Sequence, residues 1–225
     1  MSGEQIWLCF TLESAATFGR GDGIPGLIDR EVTLDGHGCP FLHGRTLKGL
    51  LNESCADILY ALNATGVQHG LTAAADVLFG APGSTHASAG KMHVGHARLP
   101  APLRDAIDRE VLLGRWTATE VTHSLTGIRR QTAIDATGAP DPHTLRSMRV
   151  ILPGVEFEAA LTFDDPLCPE EKGLLGAVVK GFRRAGTARN RGRGRLCARL
   201  EDAARQDVTA DWYALFMAEV QVCLP

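Results

Sequence analysis

No run in this 225-residue sequence approaches the ~18 apolar residues of a membrane span, so no membrane partner is expected. The first twelve residues carry Glu4 and no basic cluster, and no secretory leader is expected from them. The six cysteines stand apart at 9, 39, 55, 168, 197 and 223, without a CxxC pair. That spacing argues against a zinc ribbon or a disulfide framework and points to core thiols of a cytoplasmic protein. GxSxG, HExxH and the P-loop are also missing, which removes several common hydrolase and nucleotide-binding chemistries. With 44% apolar and 22% charged residues, a soluble globular fold is expected. The length suffices for a sizeable core without staples.

A basic surplus is missing too. Lys plus Arg is 23 and Asp plus Glu is 26, a net charge of −3. Taken alone, that argues against a bulk nucleic-acid binder. The total conceals a segregation. Lysine is scarce, with only 4 against 19 arginines. No acid occurs among residues 172–200, while nine basic residues lie between Lys172 and Arg199.

Ile6, Leu8, Phe10 and Leu12 alternate as in a strand. A glycine-rich loop, 19–26, and a short strand over Glu31 to Leu34 follow. Leu47, Leu50, Leu51, Ser54, Cys55, Ile58 and Leu62 form one helical stripe, with Thr46 a candidate cap. Residues 63–90 read as small and polar, and Lys91 to Leu99 as a strand. Residues 100–147 hold four prolines and read as an irregular, β-rich excursion. Alternation returns from Arg149 to Phe163. Pro169-Glu170-Glu171 opens a second helix, which Lys180, Arg183 and Arg184 close. A strand from Arg195 to Leu200 follows, and Trp212 to Leu224 fits helix or strand. The order β, α, β, insertion, β, α, β predicts an α+β, ferredoxin-like (RRM-like) split βαβ core.

The strongest local feature is Lys180 to Arg195, with Lys180, Arg183, Arg184, Arg189, Arg191 and Arg193 spaced by glycines. Guanidinium groups grip phosphate oxygens in pairs, and glycines let backbone N–H groups approach the same oxygens. A polyanion cradle is expected there. Arg45, Thr46 and Lys48 stand at a helix start, where free N–H groups favour anions. Gly21 to Gly26 matches GxGxxG but is not followed by a helix, so a dinucleotide site is rejected. His93 and His96 are three apart on an expected strand and point to opposite faces, so they cannot share a metal. His37, Cys39 and His43 lack a fourth ligand. Composition alone does not single out any of the acids Asp22, Asp29, Glu31 and Asp35.

The ordered combination of four segments resembles the RAMP superfamily of CRISPR-associated proteins, most closely the Cas-seven-type backbone subunits of type III effector complexes. These segments are Leu27 to Val32, Cys39 to Gly49 (with its Leu-Lys-Gly ending), Leu78-Phe79-Gly80 with Gly90 to Ala97, and the glycine-rich loop 186–194. His43 and Arg45 depart from the family's Pro and first Ser.

The resemblance implies a single domain, with core at about 6–99 and 149–201, an insertion at about 100–148 and a C-terminal segment 202–225. It implies a β-hairpin "thumb", placed here at Thr122 to Ser147 with Arg129, Arg130 and Arg146. It further implies binding to a guide RNA (crRNA), to target RNA, to copies of the same chain and to other CRISPR-associated subunits. In such complexes a loop Asp supports divalent-metal-dependent cleavage of target RNA at regular intervals. Asp29 is the matching position, with Mg2+ the implied ion. An inactive scaffold in the same complex and a guide-processing endoribonuclease of the superfamily stay open as alternatives.

Overall fold

The structure, a computed structural model, describes residues 5–19, 21, 23, 28–66, 70–81, 89–132, 138 and 144–222. In chain order the elements are β1 (Gln5–Leu12), α1 (Gly44–Ala64), α2 (Leu71–Phe79), β2 (Met92–Val94), α3 (Ala101–Leu112) and α4 (Ala118–Leu125). There follow β3 (Thr126–Gln131), β4 (Arg146–Ile151), β5 (Glu156–Phe163), α5 (Pro169–Gly181), β6 (Leu196–Glu201) and α6 (Thr209–Val222).

Four strands form one antiparallel sheet in the order β2-β5-β1-β6. Helix α1 lies between β1 and β2 in the chain, and α5 between β5 and β6. This is the split β-α-β order expected from the sequence. The even positions of β1 explain its central place: Ile6, Leu8, Phe10 and Leu12 are all buried. Phe10 stacks on Phe157 of β5 at 5.4 Å, and Phe182 meets it edge-on at 5.8 Å. Burying each such ring contributes roughly 1.5–3 kcal/mol. The stripe of α1 buries Leu47, Leu51 and Cys55 as its spacing predicts.

Helix α6 resolves the ambiguity of the C-terminal segment. It lies across α5, where Gly173 and Gly176 face it. A Cβ at Gly176 would lie 2.7 Å from the Tyr213 nitrogen, so only glycine allows this approach. Trp212 and Phe216 are buried there.

The insertion departs most from expectation. Half of it is helical rather than β-rich. Pro102 sits in the first turn of α3, where proline is tolerated, so it starts a helix instead of breaking one. Thr117 and Glu120 form a reciprocal capping box that starts α4. Leu71–Phe79 is likewise a helix, with Gly80 at its end in a positive-φ conformation. Thr46 is not the cap of α1, because the helix already starts at Gly44. The expected strand at 31–34 makes only isolated bridges, and β2 spans three residues.

Alternation from Arg149 to Phe163 is split between two sheets. Arg149–Ile151 ends β4, which pairs with β3 in a separate hairpin, from Thr126↔Ile151 to Gln131↔Arg146. Ala16 and Ile151 exchange both backbone hydrogen bonds, tying this hairpin to the segment after β1. Its expected turn at 135–141 lies, except for Gly138, outside the described residues.

Candidate nucleic-acid interface

The glycine-rich loop is a tightly stitched element. Ala185 N donates to Gly194 O at 2.9 Å and closes its neck. Thr187 N donates to Thr17 O and Gly194 N to Ala15 O, both at 3.0 Å, fixing it to the segment after β1. Gly194 has φ +65°, and a Cβ there would lie 1.8 Å from Ala185 O. Glycine is therefore required at the neck by both space and φ. The tip, Arg189–Arg191, makes one 3-10 turn between residues in left-handed conformation.

The same β1–loop segment holds both this loop and the hairpin. Between the two lies a cleft of about 550 Å³. Arg30, Arg146, Arg189, Arg191 and Arg193 line it, and among the described residues no carboxylate does. Strand alternation decides which hairpin residues face it. Gln131, Arg146 and Met148 do. Arg129 shares that face of β3, whereas Arg130 takes the opposite face. Among the described residues, Arg30, Arg129, Arg130, Arg146 and Arg191 meet no carboxylate at ion-pair distance. Arg189 pairs with Glu53 of α1 at 2.7 Å.

Arg193 plays a different part from its neighbours. It is buried, donates to Gln131 Oε1 at 2.7 Å and contacts Met148 Sδ. It thus pins the loop to the inner face of the hairpin. Burial, with Arg129, Arg191 and Arg30 nearby, lowers its pKa from the usual guanidinium value. Arginine stays charged regardless.

Asp29 sits at the edge of this cleft. Its backbone N–H donates to Ser147 O at 2.9 Å, and its Oδ2 accepts from Ser147 N at 2.6 Å. The chain neighbours of both residues, Arg30, Arg146 and Met148, line the cleft. Asp29 is exposed, and among the described residues its Oδ1 has no hydrogen-bond donor. Two residues on, Glu31 points inward. Arg149 Nε donates to its Oε1 at 2.8 Å, and Arg149 Nη1 reaches Thr126 Oγ1 at 3.2 Å. The acids at 29 and 31 thus separate into one exposed carboxylate and one buried structural ion pair.

The remaining candidates do not join this cleft. Lys48 Nζ donates to Met92 O at 2.8 Å, so its charge holds α1 to β2. Burial lowers its pKa, and Asp164 nearby opposes the shift. Arg45 and Thr46 are exposed in the first turn of α1. Lys180 in the last turn of α5, with Arg183 and Arg184 just beyond it, lines a separate groove. His93 and His96 take separate partners, although His96 lies beyond β2 and meets the His43 ring at 5.2 Å. His93 pairs with Asp164 at 2.8 Å, His37 with Asp108 at 2.5 Å, and His96 Nδ1 accepts from Gly44 N at 3.0 Å. Among the described residues no cluster of three His, Cys, Asp or Glu could hold a metal. Cys9, Cys39 and Cys55 are buried, but Cys168 and Cys197 are exposed, against the expectation of core thiols throughout. No helix of the described residues is long and apolar enough to cross a membrane.

Arg30 escapes a sequence reading because its only signal is its place beside Asp29. Arg146 stands out only as part of the expected hairpin. The fold makes them neighbours of the glycine-rich loop.

The fold is thus an α+β domain built on a split βαβ sheet, with a separate hairpin and an arginine-rich glycine loop. The family model of the RAMP superfamily matches residues 10–197, and the chain belongs to that superfamily. Two solved structures share its fold. One is a chain of "Type III-B Cmr-beta Cryo-EM structure of the Apo state", with a TM-score of 0.61 at 11% identity, covering 87% of this chain and 96% of that one. The other is a chain of the type III-B Cmr-beta complex bound to cognate target RNA, also at 0.61 and 11%, covering 94% and 99%. None of the curated proteins compared with the sequence matches it.

Proposed function

We propose that this chain is a guide-RNA-binding backbone subunit of a type III CRISPR ribonucleoprotein and cleaves target RNA at Asp29. The observation that carries this reading is the cleft itself. Arg30, Arg146 and Arg191 converge there with no carboxylate partner among the described residues, beside an exposed and oriented carboxylate. Unpaired guanidinium groups facing a common space are poised for an external polyanion. Such contacts read the backbone and leave sequence to base pairing. One cleft grips a short stretch, so copies of this chain and other CRISPR-associated subunits share a long guide. The similar chain from a complex bound to cognate target RNA agrees with this assignment.

The chemistry follows from geometry beside β4, near the turn end of the hairpin. A hairpin that wedges one nucleotide out of a guide–target duplex lets its 2′-oxygen align with the adjacent phosphorus. The 2′-oxygen forms the new P–O bond, its proton passes to Asp29, and the 5′-oxygen leaves with a proton from water. The Ser147 N–H holds Oδ2, so Oδ1 is the basic atom. A single carboxylate suits Mg2+, which takes one or two protein carboxylates and completes its shell with phosphate and water. When bound, such an ion neutralises charge building on the phosphate. Arg30 and Arg146 flank the carboxylate and place the backbone.

The test is Asp29→Ala in the complex assembled with its guide. Loss of a Mg2+-dependent ladder of target cuts, with target binding retained, is expected. Undiminished cutting by the variant would remove Asp29 from the site. A wild-type complex that binds guide and target but never cuts would establish the inactive scaffold instead.

A further inference from the structure

A second groove, of about 760 Å³, lies on the other side of the glycine-rich loop. The end of α5, strand β6 and the start of α6 enclose it. Its walls carry Lys180, Arg183, Arg184, Arg195 and Arg199, against Glu13 and Asp207. Five cations and two acids leave a surplus of three positive charges.

Internal pairing accounts for only part of that surplus. Arg199 is consumed by Glu156 and Glu201, both at 2.8 Å. Arg195 leans on Glu13 at 3.4 Å. Lys180 Nζ lies 4.8 Å over the Tyr213 ring. Arg183 and Arg184 meet no carboxylate among the described residues. Among the described residues each guanidinium makes one hydrogen bond, to the carbonyls of Lys180 and Arg189 respectively. The C-terminal end of α5 attracts cations, but its dipole amounts to about half a charge. Three cations at one helix end exceed that need.

Val179, Phe182 and Leu196 at its base are buried, so the cations dominate its accessible surface. The groove therefore suits a run of phosphates. It is physically linked to the first cleft, because Arg184 Nη1 donates to Arg189 O at the tip of the intervening loop.

We infer that this groove holds a second stretch of the same RNA strand, which passes round the glycine-rich loop from the first cleft. Arg183 and Arg184 hold its phosphates. The inference rests on the proposed role in RNA binding.

The purified chain is titrated with single-stranded RNAs of about six and about sixteen nucleotides, over a range of salt. The longer RNA is expected to bind tighter and with the steeper salt slope. Arg183→Ala with Arg184→Ala is expected to lower that slope by about 1.4, two contacts at about 0.7 each. The short RNA, which the first cleft holds, is expected to keep its affinity. Lysine at both positions is expected to restore the slope, which a merely unfolded alanine variant could not explain. An unchanged long-RNA slope in the alanine variant overturns the second groove. Unchanged RNA binding with lost self-association reassigns it to a second copy of the chain, and also overturns it. Failure of the wild-type chain to bind either RNA overturns the RNA-binding reading itself.

Discussion

Two groups of arginines in this chain have opposite surroundings. On the outer face of the main sheet, Arg199 bonds Glu156 and Glu201, and Arg205 bonds Glu158 and Glu201 while lying 4.0 Å over Trp7. Around the glycine-rich loop, Arg30, Arg146 and Arg191 face a common cleft with no acid among its described lining residues. The residue type is the same, but only the second group has unused donors. An RRM-type sheet offers aromatic rings to bases on its open face. Here that face is closed by its own ion pairs, and the free donors have moved to a loop and a hairpin. Partners, rather than counts, therefore locate the polyanion site. The net charge of −3 is compatible with RNA binding for the same reason.

The sharpest contrast comes from Arg149, which is close to the cleft in sequence yet buried on Glu31. Arg149→Ala leaves a buried carboxylate unpaired and is expected to cost about 3–5 kcal/mol of stability. Chemical denaturation measures it; a loss under about 1 kcal/mol would mean Glu31 finds water or another partner. Next come the cleft arginines. Alanine at Arg30, Arg146 and Arg191 is expected to cost about 1.5 kcal/mol of RNA affinity each, or roughly tenfold. Their melting temperatures are expected to stay near wild type, since none has a carboxylate partner to strand. Arg199→Ala is the mirror image. It is expected to leave RNA affinity unchanged and cost at most about 1 kcal/mol of stability, because its pairs are partly exposed. Weaker RNA binding by that variant would erase the distinction between the two groups.

The smallest expected effect is on pH. His96 Nδ1 accepts the Gly44 N–H, and burial, with His43 and Arg98 nearby, lowers its pKa below the usual 6.5. The unfolded chain therefore takes up this proton first. Stability from this site is complete above about pH 6.5 and declines as pH falls toward the lower folded value. Thermal melts across that range check it, and His96→Gln is expected to flatten the slope slightly.

Much of this fold is legible in the sequence where one period rules. The alternation of Ile6 to Leu12 and the stripe from Leu47 to Leu62 each bury one face as read. Legibility fails where a residue has two meanings. Pro100 and Pro102 read as breakers, but a proline in a first turn begins a helix. The capping box Thr117 to Glu120 is a helix signal hidden in that same stretch. In α6, Trp212, Tyr213, Leu215, Phe216 and Met217 crowd so closely that no single period stands out. The close approach of Gly173 and Gly176 to α6 exists only in three dimensions.

The site divides in the same way. The glycine-rich loop announces itself by composition. What each arginine touches does not, because the deciding partners are remote. Glu53 is 136 residues from Arg189, and Gln131 is 62 from Arg193. Lys48 and Arg193 have the right residue type for phosphate, yet internal acceptors hold both. Arg30 and Arg146 are 116 positions apart and meet because residues 29–31 bond along β4, Asp29 to Ser147 and Arg30 to Arg149.

The salt dependence of RNA binding by Arg191→Gln, set beside that of the wild-type chain, tests the cleft most directly. Glutamine keeps size and polarity while removing the charge. A slope shallower by about 0.7, equal for RNAs of unrelated sequence, is expected from one lost phosphate contact. An identical slope for the two proteins would contradict the assignment of this cleft to RNA.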